Sequence, residues 1–328
     1  MNGLLRTVGT LLVMGAVVLA PASGAWAQAK GKRIAVFVGP TQDKYIGSIS
    51  KSVVDNAASF GMVATVFSSP FDPALQAQQI DDAIAQKYDL FVVQTISQKA
   101  IAPPLSRAKA ANIPIVLIVV PLADGASTPA SYIGYEDVTM GRLAGEAMAK
   151  ALVASGRSKA KVAVVAGSMA EGKAPLRDKG FREAITKYPG IEVVATEDAK
   201  WNPSLAEKAA GQLLARFGAQ GGLDGIYGMN DTLANSAITA AEAAGVKVGT
   251  AAGQLVVVGG NCQQPGIKNL GADKMAATVL MLPAEEGKLA AERIRDHFEG
   301  KKLAPTEYLQ NETITKANLA KYADACSY

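Results

Sequence analysis

The sequence predicts an α/β fold: two doubly wound parallel-sheet lobes joined by a three-segment hinge. Three observations predict it. Short β-branched runs alternate with helical stretches, as in parallel sheets buried on both faces. The alternation ends near "IPIVLIVV" and restarts at Lys161. Two extended segments, "MAATVLMLP" and "APTEYLQNETIT", then follow, and the helix between them needs a sheet to pack on. The length of 328 residues suits two domains of ~100–200 residues each.

The chain opens with "MNGLLRTVGTLLVMGAVVLAPASGAWAQ". Arg6 precedes an apolar core from Val8 to Ala20, and Ala25-Trp26-Ala27 is a small-x-small cleavage site before Gln28. The core is shorter than the ~20 residues of a spanning helix. Residues 1–27 therefore read as a secretory signal, and the mature chain as soluble and periplasmic. No Cys follows the cleavage site, so lipid attachment there is not expected.

Arg33–Val38, "RIAVFV", is the first strand, ended by Gly39-Pro40. Asp43–Phe60 reads as a helix closed by Gly61, and "MVATVF" as the next strand. Ala74–Gln86 is helical, "DLFVVQ" a strand, Pro104–Ala111 a helix and "IPIVLIVV" a strand. "SYIGYED" and the helix Thr139–Val153 link the two sets. In the second set "KVAVVAG", "IEVVAT", "LDGIYG" and "LVVVGG" are strands. The helices Leu176–Tyr188, Pro203–Phe217 and Leu233–Ala244 lie between them. The expected lobes are residues 28–135 plus 282–308, and residues 136–281 plus 309–328.

Composition narrows the function. A net charge of +4 with no basic run argues against a nucleic-acid partner. The single His, His297, stands at a helix end, and two distant Cys make no ligand cluster, so neither metal nor cofactor is expected. No G-x-S-x-G elbow appears. Glu136-Asp137 and Glu171 are the remaining acid–base candidates, and they read as crossover and solvated-loop residues. "GSMAEGKA" at 167–174 approaches a phosphate loop, but Ala174 stands where the metal-holding Ser/Thr belongs. It reads as a cleft loop with Lys173 at the rim. The chain is not expected to be an enzyme. Cys262 and Cys326 can pair in an oxidising compartment, but their separation in sequence does not decide between a bridge and two thiols.

In parallel α/β sheets, ligands collect at the carboxyl ends of the strands. Thr41, Gln42, Asp43 and Tyr45 follow the first strand, and Gln94-Thr95 follow "DLFVV". Trp201 follows "IEVVATEDAK", Asn230-Asp231 end "YGMND", and Asn261 follows "VVVGG". Amides offer donor and acceptor together, and aromatic faces cover the apolar side of a ring. That mixture suits polyols and sugars. Asp231 is expected to cap the following helix, leaving Asn230 to face the ligand.

The order and spacing of "AKAANIPIV", "GRLAGEAMAK", "RDKGFREAI", "YGMNDTLANSAITAAEAAG" and "MAATVLMLPAEEGKLAAE" carry a family resemblance. The chain resembles the type I periplasmic solute-binding proteins of ABC importers, in the ribose- and galactose-binding group, over nearly the whole mature sequence. The resemblance implies a monomer that closes on a small sugar or sugar-like ligand and delivers it to an inner-membrane ABC permease. Docking to a chemoreceptor or sensor kinase is the alternative. It implies Tyr45 and Trp201 as facing aromatics and Asn230 as a hydroxyl ligand. Asn261 stands where the family has Asp, and Met281 replaces a Gln near the second crossing. A clamping Asp-Arg pair falls near Val119-Val120. The family's cleft Arg falls near Pro175, with Arg177 at a more structural position. These departures imply a less charged cleft and a smaller, modified or less hydroxylated ligand.

Overall fold

The computed structural model describes residues 26–122 and 130–328. The export signal expected at residues 1–27 lies outside the described residues up to residue 25. A one-turn helix α1 (Trp26–Ala29) precedes β1 (Arg33–Val38). Ile34, Val36 and Val38 enter one core cluster and Ala35 and Phe37 another, on the opposite face of the sheet. This period of two, with both faces covered, is what an unbroken apolar run requires.

The first set continues with α2 (Lys44–Ser59), β2 (Val63–Ser68), α3 (Pro73–Ala85), β3 (Leu90–Val93), α4 (Gln98–Ala110), β4 (Ile115–Ile118) and β5 (Ser131–Tyr135). Asp43 caps α2 by accepting the N–H groups of Tyr45 and Ile46. α4 starts six residues before the expected Pro104, with Pro103 and Pro104 inside it. Ser97 caps it, and buried Ile101 and Leu105 anchor its apolar face. Packing here outweighs the helix cost of proline.

The second set comprises α5 (Asp137–Ala154), β6 (Ala160–Ala166), α6 (Lys173–Ile185), β7 (Ile191–Asp198), α7 (Pro203–Gly218), β8 (Gly225–Gly228), α8 (Asp231–Ala243), β9 (Val256–Val258) and α9 (Gln264–Gly271). The C-terminal part adds β10 (Thr278–Val279), α10 (Pro283–Phe298), β11 (Thr306–Leu309), β12 (Thr313–Ile314) and α11 (Leu319–Tyr322).

Two parallel sheets result. One has the order β11-β5-β4-β3-β1-β2, the other β7-β6-β8-β9. Parallel bridges Val258–Ala277 and Asn261–Leu280 attach the β10 segment beside β9, and β12 pairs with β10 antiparallel. The chain therefore passes between the sheets after β5, after β10 and after β11. α10, lying between the last two passages, packs on α2. In each sheet the strand order reverses at a switch point, between β1 and β3 and between β6 and β8. Ligands of open α/β sheets bind in the crevice outside the strand ends at such points.

α5 and α6 meet backbone to backbone. A Cβ built on Gly141 would lie 2.0 Å from the Arg177 carbonyl oxygen, and one on Gly180 would lie 1.9 Å from that of Val138. Only glycine permits that approach.

Candidate ligand-binding cleft

Both switch points open on one cavity with an empty volume of about 410 Å³. From the first sheet, Asp43, Tyr45 and Ile46 reach it after β1, Phe71 after β2, Gln94 after β3 and Val119 after β4. From the second come Glu171, Lys173 and Arg177 after β6, Trp201 after β7, Asn230 after β8 and Asn261 after β9. Gln98 of α4 spans the two sides, its Nε2 donating to the carbonyls of Pro121 and Glu171, each at 2.9 Å.

Arg177 is the hub of the second-sheet wall. It is fully buried, and its Nε donates to Asp137 Oδ1 at 2.8 Å. Its Nη1 donates to the Met229 carbonyl at 2.5 Å and to Asn261 Oδ1 at 3.0 Å. Nη2 sits 3.2 Å from the Met281 sulfur. Fully desolvated charges of this kind need such complete pairing.

Trp201 forms the aromatic wall. Its ring presses on Gly167, where an added Cβ would fall 2.1 Å from ring atoms, and its Nε1 donates to Glu171 Oε1 at 2.7 Å. The Gly-rich loop before α6 thus seats an indole instead of cradling a phosphate. Opposite, the Tyr45 hydroxyl donates to Glu286 of α10, whose other oxygen accepts the Val119 N–H at 2.8 Å. Burial pushes both Glu171 and Glu286 up to about 7, although Lys173 opposes the shift in each. Four lining residues, Phe71, Val119, Trp201 and Asn261, have left-handed φ values of 53°, 64°, 57° and 76°. Such backbone is uncommon outside glycine and clusters at functional sites.

Asn230 and Asp231 exchange part of the roles expected of them. Asn230 is the cap of α8, its Oδ1 accepting the Leu233 N–H at 2.8 Å, and it also lines the cavity. The Asp231 N–H is bound by the Gly260 carbonyl at 2.8 Å, which makes Asp231 the first helical residue. Its buried carboxylate accepts from the Gln263 N–H at 2.7 Å and from Thr278 Oγ1 at 2.9 Å. It therefore ties α8 to the loop after β9 and to β10.

Burial pushes Asp231 up to about 8, against the lowering effect of its bonds from Thr278 and Gln263. A folded-state pKa above the unfolded ~3.9 means that the folded chain holds a proton the unfolded chain sheds. This contribution is complete below the unfolded value and is lost as pH rises through about 8. Glu171 and Glu286 act with the same sign up to about 7. The melting temperature is expected to fall between about pH 5 and about pH 8.5. Asp231→Asn should flatten that profile, and an unchanged slope in the variant refutes the assignment.

Of the residues expected from the sequence, Asp43, Tyr45, Trp201, Asn230 and Asn261 meet at the cavity. Thr41 and Gln42 stay in the turn before α2 and do not line it. Thr95 is buried behind Gln94, and Met281 contacts Arg177 from behind the wall. Three readings are corrected. Glu171 is buried at 3 % exposure, not solvated, because Trp201 covers it. Lys173 is 5 % exposed inside the cavity, not at its rim, because α6 begins three residues before the expected Leu176. The cleft is consequently rich in charge. Cys262 and Cys326 are joined by a disulfide, which fastens the C-terminal tail under the cavity. There the Tyr328 hydroxyl donates to the Asn261 carbonyl, and its ring meets Tyr45 edge-on with centroids 6.1 Å apart.

The model of the periplasmic binding protein domain matches residues 34–302. The chain belongs to the periplasmic binding protein family. Among its relatives, the ribose import binding protein of Haemophilus influenzae is 25% identical over 285 residues, covering 87% of this chain and 91% of that protein. The D-allose-binding periplasmic protein of Escherichia coli is 24% identical over 266 residues, 79% of this chain and 82% of its own. A solved ABC-transporter solute-binding protein from Agrobacterium vitis, bound to α-D-tagatopyranose, superposes with a TM-score of 0.79 at 25% identity. That match covers 90% of this chain and 99% of the other. The periplasmic binding protein fold and the strand-end position of the cavity thus agree.

Proposed function

We propose that the chain captures a small polyhydroxylated ligand, a sugar, polyol or sugar-like compound, for an ABC importer. The carrying observation is the cavity at the two switch points, lined from both sheets by amides, carboxylates and an indole face. Hydroxyl-rich ligands need donors and acceptors on several sides together with an apolar face for their C–H groups. The proposed lobes are residues 28–135 plus 282–308, and 136–281 plus 309–328, closing about the three passages. A ligand that touches both lobes stabilises the closed form by its differential affinity for that form. The proposed partner is an inner-membrane permease, which reads the closed surface of a monomer in the periplasm. Ligand capture and release, without chemical turnover, is the activity. Names of the relatives support the ligand class, since they include ribose import and D-allose binding.

A thermal-shift screen over sugars and polyols tests this reading, because a ligand raises apparent stability by mass action. At least one such compound is expected to raise the melting temperature. Trp201→Ala should weaken its binding by about 0.5–1.5 kcal/mol or more through loss of the stacking face. An unaltered affinity in that variant removes Trp201 from the site.

A further inference from the structure

We infer that the ligand carries a carboxylate, placing it among the sugar acids and polyhydroxy acids, and that Lys173 binds this group. The inference rests on the solute-binding reading above and narrows its ligand class. Lys173 is the first residue of α6 and lines the cavity at 5 % exposure. Among the described residues its ammonium has no hydrogen-bond acceptor and no ion pair, and it stands over the Tyr45 ring, 5.2 Å from Nζ to centroid. A buried ammonium without a partner is costly, and a ligand anion relieves that cost.

None of the carboxylates that face it, Asp137, Glu286 and Glu171, is hydrogen-bonded or ion-paired to it, although Asp137 keeps Oδ2 without a hydrogen-bond partner. Asp137 holds Arg177. Both oxygens of Glu286 accept bonds, from Val119 and from Tyr45. Glu171 accepts from Trp201 and stands, like Glu286, at about 7, so near neutrality each is partly protonated. Neither neutralises Lys173 fully. Two further features favour negative charge in front of it. α6 spans Lys173–Ile185 and begins at Gly172 with no side-chain cap, so its first N–H groups and the positive end of its dipole are available. Arg177 lines the same wall one turn further on. Here the bound anion would supply the counter-charge that the protein leaves out.

Titration calorimetry with matched pairs tests the inference: ribose against ribonate, galactose against galactonate and galacturonate, xylitol against xylonate. At least one acid is expected to bind tenfold or more tightly than its neutral partner. Its affinity should fall as pH rises from about 6 to about 8.5, because Glu171 and Glu286 then gain negative charge beside it. Lys173→Met should abolish the preference for the acid without lowering the melting temperature of the unliganded protein. Tighter binding of the neutral partner in every pair overturns the inference and leaves the solute-binding reading standing. Acid binding unchanged in Lys173→Met overturns the role of Lys173. Absence of binding by every neutral and acidic compound overturns both readings together.

Discussion

Arg177→Met is expected to destabilise the fold by about 3–5 kcal/mol, because it strands the buried Asp137 carboxylate without its partner. Asp137 is itself buried, and its Oδ2 already has no hydrogen-bond partner. The Met229 carbonyl and the Asn261 side chain lose their donor in the same step. Urea denaturation measures the effect directly as a shift of midpoint. The double variant Arg177→Met/Asp137→Leu should recover a large part of the loss, since apolar replacement of a whole buried pair is often neutral. A double variant as unstable as the single one would place the cost in the lost carbonyl bonds instead of the stranded charge.

Cys326→Ser is the second large expectation. The bridge spans 64 residues, and restricting a loop of that length stabilises by about 2–4 kcal/mol through the unfolded chain. Reduction of the unaltered protein should reproduce the loss. Affinity should also fall, because the bridge holds Tyr328 against the Asn261 carbonyl and the Tyr45 ring. Equal melting temperatures with and without reductant would overturn this expectation.

The parallel sheets were legible because their strands are covered on both faces, so apolar residues run without interruption, as in "RIAVFV" and "KVAVVAG". Element starts were less legible where tertiary contacts decide them. Pro103-Pro104 reads as a boundary, yet Ser97 and the buried Ile101 start α4 earlier. Asn230 and Asp231 are both good caps by residue type, and a long-range bond from the Asp231 N–H to Gly260 selects Asn230. The polar residues that follow the strand ends were found in part, as Asp43, Tyr45, Trp201, Asn230 and Asn261 line the cavity.

Glu286 was missed because it sits inside a helix far along the chain. A signal was present: Glu286, Ala290 and Ile294 follow one another at four-residue spacing, so a carboxylate lies on the buried stripe of α10. Glu171 and Lys173 were undervalued because a Gly-rich loop with charges usually faces water. Only the packing of Trp201 onto Gly167 reveals that this loop is enclosed.

The glycine seam between α5 and α6 bears on how motion is passed on. α6 carries Lys173 and Arg177 at its cavity end, and α5 begins at Asp137, directly after the first passage between the sheets. Because Gly141 and Gly180 let the two backbones touch, no side chains lie between them there to act as a cushion. The helices form a lever without backlash. A displacement of the cavity end of α6 is expected to reach the start of α5 through this backbone contact and through the Arg177–Asp137 bond. Gly180→Ala should introduce play into that lever, since its methyl group has no room beside the Val138 carbonyl.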